Sequence, residues 1–375
     1  MPVSEPELAA GLSEDPEDEL LRVELEEAHK KKRKGWTRWL MIGVSVVTIG
    51  LTFAFVLPHI ADYRQVWELL KGLSWAWIVG LAVAAAINVA TFGPPWMAAL
   101  PGLSYLHSSR VTLASTAVSV VAPGGAPAGM AASFGMLKSW GFEGRPVGLA
   151  VTVTSIWNQL MILGVPILAV AALVVEGDRN RTLEWVALIS LIVFCLLVAG
   201  FAVGLANARL TRRIGDKAAR LTSWAKGLIN KAPVSWNGEA FVRFRKESIV
   251  LIRARWWYLT LTTLANHLSV FLLLVVSLRA VGVASTSVTL VEAFGAWAVS
   301  RVIGSLAPTP GGLGFVELGL TGILVAFGAS NAQAVTAALV YRVLMDVPTL
   351  ALGLLAAATF KVGGRPRKIG ARPAA

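Results

Sequence analysis

Five ionised side chains fall inside long apolar runs: Glu292, Arg301, Glu317, Arg342 and Asp346. A charge at mid-bilayer costs about 2.5–3.5 kcal/mol on insertion scales, so each needs a partner or a task. Arg301 and Glu317 flank the stretch Ala307-Pro308-Thr309-Pro310-Gly311-Gly312-Leu313-Gly314-Phe315-Val316-Glu317. Arginine's planar fork bonds a phosphate at two points and stays charged. Arg301 therefore reads in one of two ways. It is a phosphate ligand with Glu317 as its counter-ion or proton-coupled partner, or it is half of a structural Arg301–Glu317 bridge that closes the break. Arg342 and Asp346 are four apart on one helix face and read as an intrahelical pair. Glu292 reads as a residue of the outer interface. Asn266-His267 and Asn158-Gln159 read as helix–helix hydrogen-bonding groups. Arg279 and Lys138 lie close enough to segment ends to snorkel.

A second break, Ala122-Pro123-Gly124-Gly125-Ala126-Pro127-Ala128-Gly129-Met130, repeats the Pro-Gly-Gly element, and Pro123 and Pro310 are 187 residues apart. Proline removes a backbone donor, and glycine turns where a Cβ would clash. The freed backbone groups cannot face lipid, so they must be buried in protein or line a wet cavity. A half-helix starting after such a break points free amides at that cavity, which favours an anion. The candidate substrate-binding set is Arg301, Pro310, Gly311, Gly312, Gly314 and Glu317, with Pro123, Gly124 and Gly125 from the first break and Arg342 from the last span. The alternative is two ordinary hairpins with Pro/Gly turns at the surface. No catalytic constellation emerges: His29, His59, His107 and His267 do not cluster, and P-loop, His-Glu-x-x-His and Gly-x-Ser-x-Gly motifs are missing. No metal site or cofactor is expected. Cys195 is the only cysteine, which excludes an intrachain disulfide framework.

The elements that must position these groups are membrane helices. The chain is 55% hydrophobic and 15% charged, and its apolar residues run in unbroken blocks. Spanning hydrocarbon takes about 20 such residues. Six blocks qualify: 39–58, 75–100, 147–175, 185–206, 256–280 and 333–360. Tryptophans at their ends, such as Trp75, Trp185 and Trp256, suit the headgroup layer. The first block is too long for a signal-peptide core and reads as a signal anchor. Loop 207–255 holds twelve Lys or Arg against three acids, and 361–375 holds five against none. Both are therefore expected in the cytoplasm, with the N-terminus. For those signs to hold, stretches 111–140 and 288–328 must each return to the side they enter from. The first is thus a hairpin from the inside and the second from the outside, each built of half-length helices or a tight pair of spans. Opposite entry plus a shared motif suggest an inverted repeat with a site near the midplane. The fold expected is an all-α polytopic membrane protein: six full spans, two broken hairpins and a membrane domain over 35–360. Residues 1–34 form an acidic, then basic tail that reads as largely disordered, with 361–375 as a second basic tail. Residues 1–28 carry ten acids, leaving 33 basic against 12 acidic residues elsewhere. That excess sits beside apolar segments and suits anionic lipid, not nucleic acid. Residues 211–230 are amphipathic, and read as a helix lying on the cytoplasmic leaflet or as a solvated connector.

The run from Arg301 through Pro308-Thr309-Pro310-Gly311-Gly312-Leu313-Gly314-Phe315-Val316-Glu317, followed by Arg342, Pro348 and Gly353, resembles the flippase-like transmembrane domain of lysylphosphatidylglycerol synthases. The resemblance covers about 39–360. Many members carry a Gly-Glu pair in the first motif, where this chain has Ala128-Gly129. The aminoacyl-transferase domain of the full synthases is not seen, so lysine transfer to lipid is not expected. The resemblance implies a translocator of lipids or lipid-linked headgroups in a bacterial cytoplasmic membrane, with anionic or phosphate-bearing lipids as partners. Two alternatives remain: a membrane-embedded transferase using an isoprenoid-phosphate donor, and a non-transporting partner of an envelope-synthesis enzyme.

Overall fold

The computed structural model describes residues 67–68, 71–121, 125–176, 181–227, 237–307 and 310–359. The first expected span (39–58), both terminal tails, and Pro123 and Gly124 lie outside the described residues. What is described is helical, with no strand: α1 (Trp75–Ala90), α2 (Pro94–Ala99), α3 (Tyr105–Val121), α4 (Gly125–Ser139), α5 (Gly144–Glu176), α6 (Arg181–Ala206), α7 (Ala208–Gly227), α8 (Gly238–Ala280), α9 (Leu290–Leu306), α10 (Phe315–Ala326) and α11 (Asn331–Thr359). Five stretches are long and apolar enough to cross a membrane: Trp75–Ala99, Gly144–Val175, Leu188–Ala206, Gly238–Ala280 and Asn331–Thr359. These match five of the six expected spans. The protein is a multi-pass membrane protein.

Three details differ from expectation. The span at 75–100 is interrupted at Thr91–Gly93, because Pro94 and Pro95 restart a helix at their fixed φ and cannot continue one. The hairpin expected from 111 begins at Tyr105. The span expected from 256 begins at Gly238 and runs 43 residues, about 65 Å at 1.5 Å per residue. It contains no proline, so nothing in its basic N-terminal part stops the helix.

The two broken stretches are hairpins of short helices. α3 and α4 have 17 and 15 residues, α9 and α10 have 17 and 12, all below the roughly 20 needed to cross hydrocarbon. Each hairpin is followed by a long helix with an internal proline, Pro166 in α5 and Pro348 in α11. The packing is exchanged between halves: α3 lies along α11, and α9 lies along α5. α1 and α8, which precede the two hairpins, pack on each other. The first helix of each hairpin thus packs on the other half's long helix, while the second, α4 or α10, packs on the long helix of its own half.

Two apolar cores stack along α8. One gathers Leu273, Leu278, Trp297, Leu320 and Ala337. The other gathers Trp96, Leu137, Val147, Leu251 and Leu259. Between the α8 residues of these cores come Asn266, His267 and Ser269, a polar band where an all-apolar helix would continue.

α3 and α11 approach so closely that a Cβ on Gly353 would lie 2.4 Å from the Leu113 carbonyl oxygen and 2.7 Å from Ala117 Cβ. Since a backbone atom cannot swing aside, Gly353→Ala should lower the melting temperature of the purified protein. Overpacking of this kind costs about 1–3 kcal/mol. Gly200→Ala on α6, where no atom lies within 4 Å of the added carbon, should not. Equal melting temperatures for the two variants would mean that α3 and α11 do not pack this way.

Candidate functional site

The second break is organised by one buried ion pair. Arg342 Nε donates to Glu317 Oε1 at 2.7 Å, with both side chains nearly inaccessible. The second carboxylate oxygen, Oε2, accepts from the Gly314 amide at 2.6 Å. Glu317 therefore caps α10 while neutralising an arginine from α11. Arg342 Nη2 also donates to the Gly311 carbonyl at 2.9 Å and stands 3.4 Å from Asp346 Oδ2. The break is a single 3-10 turn, Pro310–Gly312, kinked at Gly311, and side chains serve backbone groups at and just after it, the Gly311 carbonyl and the Gly314 amide. Gly311 and Gly314 hold φ of 63° and 85°, a region in which a Cβ is strained.

The expected Arg301–Glu317 bridge is therefore not what forms: among the described residues, Glu317 pairs with Arg342. Glu317 faces α11 from α10, whereas Arg301 sits on the other arm of the hairpin. The Arg342–Asp346 pair is present but is the longer of the two contacts. Glu292 caps α9, accepting from the Thr289 amide at 2.6 Å while the Thr289 hydroxyl accepts from the Glu292 amide. Arg279 lies in the last turn of α8, as its place near a segment end implied. Its guanidinium donates to the carbonyls of Val283 and Val288 and ties down the loop before α9.

Above this pair opens a cavity of about 410 Å³ at the meeting of both halves. The second half contributes Ser300, Arg301, Ser305, Tyr341, Arg342 and Asp346. The first half contributes only uncharged groups, Asn88, Thr112, Thr116 and Asn158. The three ionised residues of the wall, Arg301, Arg342 and Asp346, thus come from one half. Arg301 is half-buried on the cavity wall. Its Nε is buried and finds no acceptor. Arg342 is spent on the turn, whereas Arg301 is not.

The tips of the two breaks meet here: a Cβ on Gly311 would lie 3.8 Å from Val120, at the end of α3. Of the candidate glycines, Gly311 lines the cavity. Gly312 instead packs against Gly304 within its own hairpin, and Gly125 starts α4 beside Ser119. Pro310 begins the turn.

A polar band closes the floor. Asn88 Nδ2 donates to Ser269 Oγ at 3.0 Å, and Asn266 Nδ2 to Thr91 Oγ1 at 3.0 Å. His267 Nε2 lies 3.2 Å from Asn158 Oδ1, joining α8 to α5 as a helix–helix hydrogen bond. Sequence reasoning missed Asn88, Thr112, Thr116 and Tyr341. The only signal was the four-residue spacing Thr112-Thr116-Val120, which puts three residues on one face of α3.

Leaving one partner of a buried pair uncompensated costs about 3–5 kcal/mol. Glu317→Gln and Arg342→Gln should each cut thermal stability sharply, whereas Arg301→Gln, which breaks no pair, should melt close to wild type. If Arg301→Gln melts as low as Glu317→Gln, Arg301 is structural as well.

No curated protein matches the chain. A family model described as the lysylphosphatidylglycerol synthase TM region matches residues 40–353. That span holds both breaks and every residue that lines the cavity, so the chain belongs to the lysylphosphatidylglycerol synthase TM-region family.

Proposed function

We propose that the protein translocates phosphate-bearing lipids across a bacterial cytoplasmic membrane. The headgroup enters the cavity between the two breaks while the acyl chains stay in lipid. The observation that carries this reading is Arg301, a cation on the wall of a membrane-embedded cavity whose Nε lacks an acceptor. A phosphate bonded by the part of the Arg301 guanidinium that faces the cavity supplies a charge of the right sign. The volume, about 410 Å³, falls in the range of about 300–1,000 Å³ typical of small-molecule sites. Uncharged hydroxyls and amides on the opposite wall can bond a glycerol or sugar portion without fixing a second charge.

The exchanged packing of the halves supports a mechanism. The first helix of each broken hairpin rests on the other half's long helix, so rocking one half against the other moves both tips together and changes which side of the membrane the cavity faces. A transferase reading lacks such support. Both oxygens of Glu317 are engaged, and Asp346 lies against Arg342. This leaves no free carboxylate pair on the cavity wall among the described residues.

The orientation belongs to the same proposal: both termini and the 207–255 segment are cytoplasmic. In a Cys195→Ser background, a cysteine at 230 should stay unlabelled by an impermeant reagent applied to intact cells. Labelling there inverts the topology.

Reconstituted into liposomes, the wild-type protein should move a fluorescent phosphatidylglycerol between leaflets. Arg301→Lys keeps the charge but loses the fork, and should slow movement roughly tenfold, on the scale of one charge-assisted hydrogen bond of about 1.5 kcal/mol. Arg301→Gln should abolish it, with the protein still folded. Wild-type rates in both variants would place the headgroup elsewhere.

A further inference from the structure

α7 links the two halves, and among the described residues nothing covers one of its faces. The helix carries six basic residues and one acid. The acid, Asp216, is engaged: its Oδ1 accepts from the Gly238 amide at 2.8 Å. Arg212 is paired with Glu239. These bonds, with Gly215 against Gly238, fasten the first half of α7 across the start of α8; a Cβ on Gly215 would lie 2.9 Å from the Gly238 Cα. Arg245 of α8 adds bonds to the Leu205 and Ala206 carbonyls at the end of α6. The root of α7 is thus held beside the point where α6 leaves the membrane.

The opposite face is apolar and open. Ile214, Leu221 and Trp224 are 48%, 66% and 63% exposed. At 3.6 residues per turn they form one stripe. Arg213 and Arg220 are exposed along one flank of it, and Lys217, also exposed, falls at the helical angle between Trp224 and Leu221.

We infer that this face is inserted in the anionic headgroup layer of the membrane in which the chain sits, on the side where α6 and α8 emerge. An apolar stripe with tryptophan and a basic flank suits that layer, with the rings below the phosphates and the guanidinium and ammonium groups among them. A second copy of the chain fits less well. A stable interface buries about 800 Å² per partner, more than three side chains supply. The acidic segment 1–28 matches the charge, but its aliphatic side chains are interspersed with ten acids, which would have to be brought down to the apolar stripe with them. The inference is independent of what the cavity binds.

The test uses the full chain in nanodiscs, with Cys195→Ser and a single cysteine at Leu221, Trp224 or, as a control on the far side of the helix, Ala208. Each cysteine carries an environment-sensitive dye, and the discs contain lipid brominated just below the headgroup. In discs one-third phosphatidylglycerol, labels at 221 and 224 should be blue-shifted and quenched several-fold more than the label at 208. The difference should shrink in pure phosphatidylcholine, and with the triple variant Arg213→Glu, Lys217→Glu, Arg220→Glu. Three outcomes overturn the inference: equal water exposure at all three positions in both lipids; quenching in anionic discs that appears only after residues 2–28 are deleted, which makes the tail the occupant; and cysteine cross-linking between two chains at 221, which makes it a second copy.

Discussion

A helix that stops inside a membrane leaves backbone amides and carbonyls with nowhere to go, and in this protein one guanidinium resolves that. Arg342 bonds the Gly311 carbonyl within the turn and the carboxylate that caps the next helix, and leans on Asp346. Without it, Glu317 would be a buried charge and the turn would hold an unsatisfied carbonyl. With it, α9, α10 and α11 meet at one point.

The same stitch explains why two arginines on one cavity have different roles. Arg342 has its Nε and Nη2 engaged and its charge balanced by Glu317 and Asp346, so it adds less attraction for a ligand. Arg301 lies one helix away with unused capacity. A site that must both hold its backbone together and remain receptive to an anion separates the two tasks between two cations. The first half carries no ionised residue into the cavity, so the charge of the cavity wall lies on one side and uncharged hydroxyls and amides on the other.

Much of this was legible in the sequence because hydrocarbon is a demanding solvent. The spans at 147–175, 185–206 and 333–360 follow from apolar runs alone, and the Pro-Gly-Gly elements mark where helices break. What was not legible depends on which helix faces which. Arg301 stands 16 residues before Glu317 and Arg342 stands 25 after it, and nothing in those separations shows that α10 turns its first turn toward α11. Charges are conspicuous in an apolar run, so Arg301, Glu317, Arg342 and Asp346 stood out. Asn88, Thr112, Thr116 and Tyr341 did not, because hydroxyls and amides are common in membrane helices, where they bond their own backbone or a neighbour. The length of α8 was hidden for a related reason: its basic N-terminal part looks like a loop when only hydropathy is read, although it holds no helix breaker.

Pro166 and Pro348 carry a mechanical consequence. Each proline leaves the carbonyl four residues earlier, at Ile162 and at Leu344, without its usual amide. Ile162 lies on the cavity wall, and Leu344 directly precedes the wall residue Met345. The two long helices that carry the hairpins are therefore weakest against bending at the depth of the cavity. α8, with 43 residues and no proline, is stiff there. Thermal bending of the bundle is unevenly shared: one rigid strut runs the full height, and two beams are notched at the same level. A load applied at either end of those beams is relieved next to the cavity and not at the lipid surface.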